Sequence, residues 1–173
     1  MNIEYVRTLW EEFRLVNGIT TRVIEAIPAD KIGTRPVRDM RTPTELVVHM
    51  AETMRGVVEG IVSGEIKEYE SSEKALCPTI QSRDDLAKLM RDAWAKANKA
   101  IGGLRPEQAT AMVKSPWGMD FPGWVCVQIV FDEHLHHRGQ LYAFLRALGV
   151  EPPFMWDFEN NAAEFKPRQH QQA

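Results

Sequence analysis

FDEHLHHRGQ, residues 131–140, places three histidines, an aspartate and a glutamate in six consecutive positions directly before Arg138-Gly139-Gln140. The surrounding segment has the apolar spacing of a buried helix. It begins near Phe121-Pro122 and runs to Leu148, with Gly149 as a C-terminal stop signal and Pro152-Pro153 behind it. At ~100° per residue, Cys126, Val130, Glu133, His137, Leu141, Phe144 and Leu148 fall within ~40° of one line. Five of these residues are apolar, so the line is expected to face a core, with Glu133 and His137 one turn apart in the middle of it. His134 lies ~60° to one side, still near the core. Asp132 and His136 are expected to point away, and Arg138 to sit on a flank in a surface ion pair.

Three further long segments carry the same periodicity, and none alternates cleanly enough to argue for a sheet. The first spans about Asn2 to Ile27, with Ile3, Val6, Trp10 and Phe13 in register. The second opens at Thr42-Pro43-Thr44-Glu45, a Thr cap with Pro at the first helical position and Glu placed to close a capping box, and continues to Gly64. The third starts at Ser82 with Asp85 as its box partner and stops at Gly102-Gly103. Four amphipathic helices of ~20–28 residues with polar connections predict an all-α four-helix bundle. Residues 1–165 are expected to form one domain and 166–173 a frayed tail. The stretches 29–41 and 65–81 read as polar loops, each long enough to cross over an end of the bundle. Residues 105–124 read as irregular, rich in Gly, Pro and Trp.

The chain has 173 residues, 44% of them hydrophobic and 26% charged, and a net charge of −3, a soluble globular balance. No basic face supports nucleic-acid binding. No apolar run reaches the ~20 residues of a membrane span, and the acidic N-terminal stretch MNIEYVRTLWEEF does not suit a signal peptide. Cys77 and Cys126 form no disulfide framework, so a reducing cytoplasm is the expected setting. Cys126 reads as a small core residue and Cys77 as a loop residue.

A glutamate and a histidine four residues apart on one helix face can converge on a metal ion, and bundle metal sites recruit the remaining ligand from a facing helix. Of the five histidines, only His49 stands on another long helix, at the border of its apolar stripe beside Thr53 and facing Gly56 and Gly60. Those glycines would permit a close backbone approach. His49, Glu133 and His137 therefore make a candidate three-ligand site with positions left for water or substrate. His134 lies within one turn of His137, so geometry alone admits it as an alternative ligand. Glu133 is preferred because it lies nearer the line through His137 and because a cation would explain a carboxylate on an apolar seam. Trp117, Met119, Trp124 and Trp156 could wall a pocket, and Gln140 could hydrogen-bond behind the ligands.

HHRGQLYAFLRALGVEPP (136–153) strongly resembles the signature of the DinB/YfiT-like superfamily of metal-binding four-helix bundles, and TPTELVVHMAETMRGVVEGIVSGE (42–65) resembles the same family's second helix. The resemblance implies a divalent metal held by His49, His137 and the residue four before His137, which is Glu133 here where many members have His. It also implies an enzyme acting on a small-molecule substrate, and, together with apolar residues on more than one face of the first and fourth helices, a homodimer. That enzyme would be a thiol transferase or a hydrolase, in which the metal activates a low-molecular-weight thiol or water. A non-catalytic metal-binding or stress-response module is the alternative. Two imidazoles with a carboxylate suit Zn, Ni, Fe or Mn equally.

Overall fold

Capping chemistry sets where the long helices begin. The computed structural model describes residues 2–168 and has helices α1 (Ile3–Glu25), α2 (Pro43–Ser63), α3 (Glu70–Leu76), α4 (Arg83–Gly102), α5 (Pro106–Thr110) and α6 (Gly123–Ala147). The Asn2 side chain accepts from the Tyr5 amide to start α1. Thr42 and Glu45 form the expected capping box at α2, and Ser82 and Asp85 form the one at α4. Helix, the 3-10 turns included, accounts for 66% of the described residues. The sheet among the described residues is a two-residue antiparallel ribbon, β1 (Met112–Val113) with β2 (Phe121–Pro122).

The four long helices are α1, α2, α4 and α6. Helices α1 and α2 each pack against both α4 and α6, so α1 and α2 stand on one diagonal and α4 and α6 on the other. The connections 26–42 and 103–122 therefore cross the bundle. Residues 65–81 join neighbours instead, and they are not the plain loop expected, because they fold into α3 and a 3-10 turn, Cys77–Thr79. The core is mainly apolar: Val6 and Phe13 of α1, Met54 and Val57 of α2, Leu86 and Met90 of α4, and Val130 and Leu141 of α6 are all essentially sealed from solvent.

The buried face of α6 is displaced from the line expected. It includes Cys126, Val130, His137 and Phe144 but continues through His134, Leu141 and Leu145 to Arg138, which puts Glu133 at its edge. The Glu133 side chain is 47% exposed, so it is not a carboxylate on a sealed seam. The reason is that α6 packs on α1 as well as α2, which rotates the covered arc ~40° toward His134. Arg138 is likewise buried rather than in a surface ion pair.

Of the expected tail, the Lys166 carbonyl accepts a hydrogen bond from Arg14, while residues 169–173, including His170, lie outside the described residues. Among the described residues no helix is long and apolar enough to cross a membrane.

Candidate metal centre

His49 lies in the second turn of α2, and Glu133 and His137 lie one turn apart on α6, the helix packed beside it. One ligand atom from each of the three falls within 4.8 Å of the others. His137 Nε2 is 3.2 Å from Glu133 Oε2, and His49 Nε2 is 4.0 Å from the same oxygen. The two imidazole rings meet edge to face with centroids 4.8 Å apart. Metal–ligand bonds of ~2.0–2.2 Å place the donors of one ion ~3–4.4 Å apart, so these residues need little or no contraction to share a cation.

The protonation pattern also fits a cation. His49 Nδ1 is 2.7 Å from Glu73 Oε1, so Nδ1–H donates to that carboxylate and Nε2 is the nitrogen turned toward Glu133. That nitrogen and the Glu133 carboxylate oxygen face each other at 4.0 Å, a separation that one cation could bridge. His137 is held toward its neutral, ligating form by burial and by the neighbouring His49, against the opposing pull of Glu133.

Sequence reading missed Glu73. It comes from α3, which α2 holds in place. Ser72 Oγ donates to Glu52 Oε2 at 2.5 Å, and Arg55 clamps Glu52 at 2.7 and 2.9 Å. Gly56 and Gly60 let this segment lie directly on α2: a Cβ at Gly60 would overlap Ile66 Cγ1, and one at Gly56 would stand 3.2 Å from Tyr69 Cδ1. Tyr69 thereby reaches over His49, with Thr53 Oγ1 donating to its hydroxyl at 3.3 Å. Burial raises the Tyr69 pKa, and the Glu73 and Glu133 charges add to that, so the phenol stays protonated at neutral pH. A cavity of about 360 Å³ opens beside the three residues, lined by His49, Thr53, Tyr69, Trp117, Ile129 and Glu133.

Of the expected pocket walls, only Trp117 lines this cavity. Trp124 packs on Tyr5, edge to face at 5.9 Å, and Met119 is exposed. Trp156 lines a different cavity on another flank of α6. Gln140 donates to His136 at 3.0 Å. His134 is turned away from the cluster, with Nε2 at 2.7 Å from Thr20 Oγ1 on α1 and its ring against Phe13. Both cysteines are free, and burial holds both thiols protonated, pushing Cys126 up to about 11.

A four-helix bundle with a His/Glu/His group able to hold a metal between two packed helices defines the class. The sequence profile of the DinB family matches residues 1–169, and the chain belongs to that family. The uncharacterized protein YjoA of Bacillus subtilis is 22% identical over 140 residues, covering 79% of this chain and 87% of YjoA. The crystal structure of YjoA superposes with a TM-score of 0.69 at 21% identity, covering 86% of this chain and 96% of that one. A DinB-like protein from Bacillus cereus gives 0.70 at 16% identity, covering 84% and 94%. At such identities the superpositions establish the fold.

Proposed function

We propose that the chain is a divalent-metal-dependent enzyme acting on a small molecule, with His49, Glu133 and His137 as the metal ligands. The observation that carries this reading is the convergence of the three ligand atoms within 4.8 Å at the side of a cavity large enough for a substrate. A metal bound by three protein groups lowers the pKa of a coordinated thiol or water and so supplies a nucleophile at neutral pH. Zn²⁺, Ni²⁺, Fe²⁺ and Mn²⁺ all suit the donor set.

The protein's own groups complete the arrangement. Glu73 fixes the tautomer and ring orientation of His49. Tyr69, kept protonated, can donate to an oxygen or sulfur lying in the cavity, and Trp117 offers an apolar wall. Neither cysteine serves as nucleophile, since both thiols are held protonated. Free cysteines suit a reducing cytoplasm, and a homodimer would carry one complete site per chain because every residue of the site comes from a single protomer.

A non-catalytic metal-binding module would close its metal off from solvent. Exposure of Glu133 beside a cavity favours the catalytic reading over that one. The test is metal analysis of the purified protein, followed by transfer of cysteine, glutathione or coenzyme A to an electrophilic aryl halide, and by ester and amide hydrolysis. Metal bound one per chain and a turnover abolished by chelation are expected. A loaded protein inert in both screens would favour the non-catalytic module, and a protein that takes up no divalent metal would sink the proposal.

A further inference from the structure

On the flank of α6 turned away from Glu133, a second cavity of about 440 Å³ lies between α1, α6 and the chain that follows α6. Val16, Phe131, Leu135 and Trp156 give it apolar walls, and its one cationic lining residue is Arg138. Arg138 and Leu135 point ~140–160° around the helix from Glu133, so this cavity is separate from the candidate metal centre.

Arg138 is only 6% exposed. Its Nη1 is sealed from solvent and has no hydrogen-bond partner among the described residues. The Tyr142 ring, 5.7 Å from Cζ, offers it an aromatic face. Asp157, next to the Trp156 wall, is taken by Arg22 at 2.8 Å, and Glu12, the one carboxylate in the cavity lining, is exposed and makes no ion pair with Arg138. A guanidinium remains charged even when burial lowers its pKa, as it does here. A buried permanent cation without a counter-charge is costly, and buried polar groups in folded proteins ordinarily have partners.

We infer that this cavity binds a small monoanion with an apolar body, such as an aryl or medium-chain carboxylate or sulfonate. The anionic group lies against the edge of the Arg138 side chain that lines the cavity, Nη1 itself being sealed behind it, and the body lies against Val16, Phe131, Leu135 and Trp156. The volume falls within the roughly 300–1,000 Å³ typical of small-molecule sites. A second protein copy laid over this face would cover the exposed Leu135 and Trp156. A cation this deeply set favours instead a small group able to enter the cavity.

The experiment titrates the full chain with anilinonaphthalene sulfonate, an aromatic anion that fluoresces when shielded from water. Phenylnaphthylamine, its uncharged counterpart, is titrated in parallel, and both series are run on metal-loaded and on chelated protein. Expected are one saturable site per chain, unchanged by chelation, with the sulfonate displaced by octanoate far more readily than by octanol. Arg138→Met should weaken the sulfonate about tenfold or more and leave the neutral dye little changed. Leu135→Trp, which fills the cavity mouth, should lose both dyes with helical content intact. This variant keeps the test decisive if Arg138→Met fails to fold. The inference is overturned by absence of a saturable site, by sulfonate binding unaffected in Arg138→Met or in Leu135→Trp, or by binding that disappears on chelation. It is also overturned if the sulfonate binds only after Leu135→Glu has dissociated a dimer, which would assign the face to a second copy of the chain.

Discussion

Glu73 Oε1 lies 2.7 Å from His49 Nδ1, joining a seven-residue helix at the surface to the ligand that α2 contributes. The bond leaves Nε2 as the free nitrogen and aims it at Glu133. Glu73→Gln should therefore lower metal affinity by about 10–100-fold, the usual effect of losing the partner that orients a ligating histidine. Competition against a chelator of known affinity gives the number. Unchanged affinity would mean that packing alone sets the ring of His49.

Glu133 and His134 are adjacent in sequence but face different helices. Glu133 Oε2 stands 3.2 Å from His137 and 4.0 Å from His49, whereas His134 bonds to Thr20 on α1. Glu133→Gln should empty the centre on dialysis, and His134→Gln should stay loaded. Metal content of the two variants, measured side by side, decides the matter. The reverse result would make His134 the ligand.

The capping signals at Thr42-Pro43-Thr44-Glu45 and at Ser82 were legible because they act within one turn, where sequence spacing equals spatial spacing. The convergence of His49 with His137 was legible for a similar reason: an i, i+4 pair and a single partner histidine on another helix leave few arrangements. Helix α3 was not legible. Seven mostly polar residues with none buried carry no periodic signal, and the bond of Ser72 to Glu52 on α2, with the preceding Ile66 and Tyr69 seated on Gly60 and Gly56, gives them a fixed place. The exposure of Glu133 and the burial of Arg138 were misread because a helical wheel drawn around one helix cannot show that α6 is covered from two sides.

His134 gives the protein an acid sensitivity of its own. Complete burial, helped by the Arg138 and His137 charges, lowers its pKa from 6.5 to about 3 in the folded state. The unfolded chain therefore binds this proton more readily than the folded one. The contribution of neutral His134 is fully present above pH ~6.5 and is lost progressively as pH falls toward ~3. Urea unfolding of metal-free protein should lose up to about 1.4 kcal/mol per pH unit across that window from this residue. His134→Gln should be flatter than wild type by that amount between pH 6 and 4. Parallel pH profiles would show that His134 is protonated without cost.

Two glycines should answer alanine with opposite signs. Gly139, on the exposed side of α6, has nothing within 4 Å of where a Cβ would stand. Gly139→Ala should therefore stabilise by about 0.5–1 kcal/mol through helix propensity. At Gly60 the same Cβ would overlap Ile66 Cγ1 and sit 2.8 Å from its Cα, and backbone cannot move aside as a flexible side chain can. Gly60→Ala should cost about 1–3 kcal/mol and lift residues 66–73 from α2. That displacement moves Tyr69 and Glu73 together, so metal affinity should fall along with stability although position 60 touches no ligand. Chemical denaturation and chelator competition on the two variants read both effects. If Gly60→Ala loses stability but keeps full metal affinity, the seating of this segment on α2 does not position Glu73.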